Sequence, residues 1–296
     1  MIKLTRNRDK NAVHKNFFGD DRIKINLDLL KKKRNGELDV KSEKKWKSSI
    51  WKQSKTQLLK ESNNKCAYCE SPTRVVSYGD VEHFRPKSIY WWLAYCYENY
   101  LLSCAACNQE YKKDFFELKD PSKRLGGINI PGNFSDEELN AIAPVLTVDP
   151  VNDNAGQPLK KYLSDLKKEG CLLINPYFDD PAKYFAYQPI LKNSEVVVIP
   201  KRSSYAPVVN ACEKLFGINR KELLDLRYQA YAAYITFRHV CSSADIPSYM
   251  RDMAQERLRE MASDEAPYAG MVRYFDTKKL SALAWNYNIV SPDTLL

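Results

Sequence analysis

CAYCESPTRVVSYGDVEHFRPKSIYWWLAYCYENYLLSCAACNQEYK, residues 66–112, decides how this chain is read. The stretch opens on Cys66 and Cys69 and approaches its end on Cys104 and Cys107, with 34 residues between the two pairs. Two C-x-x-C knuckles at such a spacing supply the four thiolates of a tetrahedral zinc site, each pair gripping the ion from a tight turn. Thiols deprotonate to bind, and the binding energy becomes folding energy, so the zinc would hold together a segment too short for a hydrophobic core of its own. Four thiolates close the coordination shell. The expected zinc is therefore structural, and catalysis has to come from other groups.

Those other groups lie between and just after the knuckles: Glu82-His83-Phe84-Arg85-Pro86-Lys87, then Glu98-Asn99, then Asn108 to Lys112. A carboxylate precedes the histidine, and two asparagines follow in the downstream turns. In these residues the chain resembles the HNH endonuclease superfamily, in which two strands and a helix pinch one divalent ion beside a histidine. The resemblance implies a ββα-metal arrangement with His83 as general base, a role suited to an imidazole that titrates near neutral pH. It implies Asn108 and Glu82 as ligands of a catalytic Mg²⁺ or Mn²⁺, ions that favour oxygen donors and complete their shell with water and phosphate. Asn99 is the middle member of the signature, positioning His83 through its amide. Arg85, Lys87 and Lys112 are candidates for holding the flanking phosphates. An Asn as third letter is a variation within the family, and Glu82 stands where Asp is commoner.

A closer resemblance rests on Val81-Glu82-His83-Phe84-Arg85-Pro86-Lys87-Ser88, the aromatic run from Tyr90 to Tyr95, and Asn175 to Pro181. These look like the PtuB family, HNH subunits of Septu antiphage systems and of certain retron systems. The specific match covers residues 65–120, with weaker likeness near 171–190. It implies a bacterial defence effector with a PtuA-type ATPase partner, and in a retron setting a reverse transcriptase with its RNA–DNA product. The aromatic run also has a reading of its own, as a wedge packing the zinc module onto the remainder of the chain.

Outward from the motif, charge is unevenly spread. The 296 residues carry a formal +9, yet residues 1–60 hold 18 Lys/Arg against 7 Asp/Glu. Such a field attracts phosphate backbones through counterion release, and Trp46 and Trp51 within it offer faces for bases or for a core. No stretch reaches the ~18 apolar residues of a membrane span, and the start does not read as a secretory signal. A cytoplasmic location is the expectation. Reducing conditions there disfavour a disulfide framework for the eight cysteines. Cys96, Cys171, Cys212 and Cys241, set among apolar or helical surroundings, read as buried free thiols.

The expected fold class is α+β: a ββα-metal (HNH) module on a four-cysteine zinc scaffold, embedded in a mainly helical protein. Residues 1–64 form a basic, partly helical region with a helix from about Ser42 to Lys60, and an earlier helix ending at Lys31-Lys32-Lys33-Arg34 before Asn35-Gly36. Residues 65–120 are the nuclease module. Gly and Pro punctuation makes 121–170 an irregular insertion. Within 171–296, a strand from Cys171 and another over 195–199 suggest a small strand pair. Helical stripes follow: Val208, Val209, Cys212, Leu215 and Phe216, then Leu223, Leu226, Ala230, Tyr234 and Phe237, with a capping signal in Asn219 and Glu222. A last helix is expected over about 247–262.

The function these readings favour is metal-dependent hydrolysis of phosphodiester bonds in DNA. Two alternatives stand beside it: RNA cleavage, tRNA included, by the same site in a retron-type toxin system, and a zinc-scaffolded nucleic-acid-binding module that does not cut.

Overall fold

The computed structural model describes residues 1–39, 45–73 and 78–278. Helix α1 (Gly19–Arg34) carries Asp20 and Asp21 in its first turn and four cations in its last, matching the helix dipole at both ends. It stops at Asn35, and Gly36 turns the chain at φ +72°. The helix expected from Ser42 begins outside the described residues. From Ser48 onward it exists in pieces: α2 (Ser48–Trp51), a 3-10 turn over Lys52–Ser54, and α3 (Lys55–Glu61). The Ser54 hydroxyl donates to the Trp51 carbonyl at 2.6 Å, and a side chain competing for backbone acceptors favours such an interruption.

Strands β1 (Asp80–His83) and β2 (Tyr100–Ser103) pair antiparallel, with Glu82 opposite Leu101 and His83 opposite Tyr100. The chain then enters a π-helical segment, Ala106–Lys112. Between the strands the aromatic run winds through 3-10 turns, and Tyr90, Trp92, Leu93 and Tyr95 are buried, as a packing wedge requires.

Residues 121–170 are better ordered than their punctuation suggests. Helix α4 (Asp136–Ile142) is opened by a capping box between Ser135 and Glu138, and α5 (Leu159–Lys168) follows. The bend between them is bolted to α1. Arg22 donates to the carbonyls of Pro144, Thr147 and Ala155, and Asn26 donates to that of Ala143. Arg22 and Asn26 sit one turn apart on the buried face of α1, so one helical stripe satisfies the turn's carbonyls.

The small strand pair is real, but its partners differ from those expected. Strand β3 is Phe185–Ile190 and β4 is Glu195–Pro200, joined at Ser194 in a left-handed conformation. Cys171 makes only an isolated bridge to Leu118. Asn175 instead starts a tight turn, its side chain accepting from the Tyr177 amide. The last elements of the described residues are helices: α6 (Ala206–Phe216), α7 (Lys221–Ser242), α8 (Ser248–Ala262) and α9 (Ala269–Thr277). Arg220, not Asn219, occupies the N-cap position of α7, and it makes no side-chain capping bond there. The Asn219 amide is spent on β4, accepting from the Val198 amide at 2.8 Å and donating to its carbonyl at 2.9 Å.

One contiguous core runs through Leu4, Leu29, Tyr90, Leu139, Leu166, Val196 and Phe275, so the four stretches distinguished in the sequence share an interior. A second, smaller cluster of Phe17, Leu58, Tyr97, Tyr100 and Leu102 underlies the β1–β2 hairpin. Among the described residues no helix is long and apolar enough to cross a membrane.

Candidate active site and metal centre

The sulfurs of Cys66, Cys69, Cys104 and Cys107 lie within 4.8 Å of one another. Each pair sits in its own turn, one before β1 and one after β2, and the antiparallel pairing brings the turns together. The donor set fits zinc: four convergent thiols, three of them buried, are the residues that would hold a structural ion. A guanidinium from a distant part of the chain lies against them. Arg220 directs Nη1 to the sulfur of Cys107 at 3.4 Å and Nη2 to those of Cys69 and Cys104 at 3.9 and 4.0 Å. No local pattern marks Arg220 in the sequence.

Beyond the hairpin lies an open cleft of about 400 Å³, and both His83 and Asn108 line it, together with Trp51, Glu82, Lys87, Gln109, Lys113 and Asp114. Strand β1 ends at His83, and the ring is gripped edge-on by Trp51 and Tyr100, at 5.0 and 5.1 Å between centroids. His83 Nε2 lies 2.9 Å from the Ala94 carbonyl. A carbonyl only accepts, so Nε2 carries the proton and Nδ1 is left with a lone pair. Burial, reinforced by Lys87, pushes the imidazole down to about 3, so the ring is neutral at physiological pH. It titrates well below the near-neutral value expected of it from the sequence, which makes it a weaker base than that expectation assumed.

Asn99 holds the loop that follows His83. Its side chain accepts from the Arg85 amide at 2.9 Å and donates to the Arg85 carbonyl at 2.9 Å, while its own carbonyl accepts from Phe84. Asn108 donates from Nδ2 to Asp80 at 3.3 Å. Because a carboxylate accepts, the amide nitrogen must be the end turned to Asp80, and the amide oxygen is free of that contact. Gln109 donates to the same Asp80 oxygen at 2.7 Å. Asp80 stands two residues before Glu82 on β1, and the period of a strand is the signal that could have found it. Lys113 and Asp114 simply follow the motif.

Two predicted phosphate holders are corrected. Arg85 is buried and forked onto Glu169, with Nε and Nη2 at 2.9 and 2.8 Å from one carboxylate oxygen. Lys112 is wholly buried, its ammonium 2.5 Å from Glu82 Oε1 and donating to the His83 carbonyl at 3.1 Å. Both cations are consumed in the interior and face no solvent phosphate. The Glu82 contact is an ion pair out of line for a directed hydrogen bond. Burial holds the Glu82 carboxyl above its ordinary range, against the pull of Lys112. Lys87 alone of the three stays at the cleft, over the Trp51 ring at 5.6 Å.

The chain is 37% identical over 186 residues to Septu protein PtuB of Bacillus mycoides (strain KBAB4), an alignment covering 58% of this chain and 49% of that protein. It is 45% identical over 64 residues to Septu protein PtuB of Bacillus thuringiensis, covering 21% of this chain and 25% of the relative. These alignments span about half the length of the first relative and a quarter of the second. No family model and no solved structure matches.

Proposed function

We propose that this chain is a metal-dependent HNH nuclease that hydrolyses phosphodiester bonds, with DNA as the favoured substrate. We propose further that it is the effector of a Septu-type antiphage system working with a PtuA-type ATPase. The observation that carries the reading is His83, its Nε2 held by the Ala94 carbonyl, in one open cleft with Glu82 and Asn108.

In this reading a water in the cleft gives its proton to Nδ1 of His83 and attacks phosphorus, and the bond to the leaving oxygen breaks. The Ala94 carbonyl fixes the tautomer and keeps the ring in place, and Asn99 clamps the backbone immediately after it. Glu82 and the amide oxygen of Asn108 would hold Mg²⁺ or Mn²⁺, whose charge supports the departing oxygen. Oε1 of Glu82 is engaged by Lys112, which leaves Oε2 as the carboxylate oxygen that would be offered to an ion. Among the described residues, Lys87 and Lys113 are the cleft cations that would meet the neighbouring phosphates. The PtuB name of the relatives supports the defence setting.

Purified protein with Mg²⁺ or Mn²⁺, and with the ATPase co-expressed, is offered DNA and RNA, tRNA included. We expect His83→Ala to lose about 10²- to 10⁴-fold in cleavage rate, and undiminished cleavage by the variant defeats the assignment. Cleavage of RNA alone moves the substrate to the retron-type alternative. Tight binding without cleavage under every metal and partner condition leaves the non-cutting module. Size exclusion of the co-expressed pair tests the partnership, and absence of a complex at low and moderate salt overturns it.

A further inference from the structure

The corner between α6 and α7 is seated on the zinc knuckles. Phe216, the last residue of α6, stacks on Tyr68, which stands between Cys66 and Cys69, with centroids 3.8 Å apart and planes within 12°. Gly217, at φ +59°, lies so close to the Tyr111 ring that a Cβ there would come within 2.6 Å of it. Arg220 then reaches back. Its Nη1 donates to the carbonyl of Gly217 at 3.1 Å and to the sulfur of Cys107, and Nη2 spans Cys69 and Cys104. Three of the four sulfurs thus receive one guanidinium contributed from more than a hundred residues away in sequence.

A divalent ion held by four thiolates carries more negative charge than the ion cancels. That excess has to be met inside a half-buried setting, where an uncompensated charge is costly. Arg220 is the cation the fold supplies, and its planar fork can donate to several sulfurs at once. Neutral thiols would offer the guanidinium far weaker acceptors. We infer that Arg220 is an integral part of the cysteine centre, compensating the charge of the zinc-bound thiolates and clasping the α6–α7 corner onto the knuckles more firmly when metal is bound. The inference rests on the zinc reading of the four cysteines and is independent of whether the chain cuts nucleic acid.

The full chain is stripped of metal and titrated with Co²⁺, whose thiolate charge-transfer bands report the electron density on sulfur. Arg220→Gln, which removes the N–H···S contacts, should move those bands to longer wavelength. The same substitution should weaken zinc binding in competition with a chelating dye by about 10- to 100-fold, the usual scale for groups that hold metal ligands. Hydrogen exchange across residues 206–242 should quicken when zinc is removed from the wild type, and should already be quick in zinc-loaded Arg220→Gln. Should that variant fail to fold, Arg220→Lys is measured instead: it keeps the charge, loses the fork, and should show the same shifts at smaller amplitude. Unchanged bands and zinc affinity, or exchange in 206–242 indifferent to metal, overturn the role of Arg220. A wild-type chain that takes up no tetrahedral cobalt overturns the zinc reading itself, and the inference with it.

Discussion

His83 shows how burial sets chemistry at a single residue. The imidazole is driven down to about 3 mainly by loss of water, with Lys87 adding repulsion and the Ala94 carbonyl opposing. An unfolded chain restores an ordinary value near ~6.5. Between those limits the unfolded state takes up a proton that the native state refuses, so stability is complete above the upper limit and drains away as pH falls toward the lower one. We therefore expect the urea midpoint to fall more steeply between pH 7.5 and pH 5 in wild type than in His83→Gln; parallel slopes would count against a buried neutral imidazole. Arg85 makes a second point at this scale. Standing two places after His83, it reads as a phosphate holder, but its partner Glu169 lies 84 positions away and no spacing rule connects them. Glu169 also accepts from Tyr90 and from the Leu125 amide. Glu169→Ala strands a buried guanidinium, and a loss of about 3–5 kcal/mol in denaturant unfolding is expected. Burial of this kind is a property of the folded interior, so the sequence around Arg85 could not announce it.

Among the elements, legibility followed the strength of local periodicity. The stripe at Val208, Val209, Cys212, Leu215 and Phe216 becomes α6, and the last expected helix becomes α8 within a residue, because a buried apolar face imposes its period on the sequence. Strand β3 escaped notice because Gln188 and Pro189 break its apolar alternation, and a two-stranded edge tolerates a proline that a central strand would not. The Asn219 capping signal failed for a different reason: a tertiary acceptor and donor on Val198 outbid a local cap. In the candidate site the residue types and order were readable, while the cleft wall supplied by Trp51 depends on α2 bringing that ring against His83 from outside the motif. The α6–α7 corner gives a sharp test of element packing. Gly217→Ala combines a left-handed backbone with a clash against Tyr111, and we expect about 1–3 kcal/mol of destabilisation. Gly126→Ala, with open space around it, should leave the melting temperature unchanged.

Over the whole molecule, the concentration of cations in residues 1–60 overstates the field that a nucleic acid would meet. Arg6 is buried between Glu61 and Glu98 and donates to the Tyr100 carbonyl, Arg8 forks onto Glu98, and Arg22 lies beside Asp149. Lys31 and Arg34 share Asp136, and Lys47 reaches Asp28. Arg6 and Arg8 fasten the N-terminal stretch to the hairpin and Lys31 and Arg34 fasten it to α4, and in doing so these cations are engaged by carboxylates where composition alone assigns them to phosphate. Among the described residues, the cations that line the cleft itself are Lys87 and Lys113. Each phosphate neutralised on a duplex contributes about −0.9 to the slope of log K against log salt. For DNA binding measured with His83→Ala, a slope of roughly −2 to −4 is expected, well short of what the N-terminal charge would give. Lys87→Ala and Lys113→Ala should each flatten the slope by about one contact's worth. Arg6→Ala should leave it unchanged while lowering the unfolding midpoint, since its removal takes a buried cation from Glu61 and Glu98 and a donor from the Tyr100 carbonyl and exposes no phosphate site. A slope steep enough to engage most of the N-terminal cations, or one flattened by Arg6→Ala, would mean that this stretch swings out to grip the polymer and that the buried ion pairs yield to it.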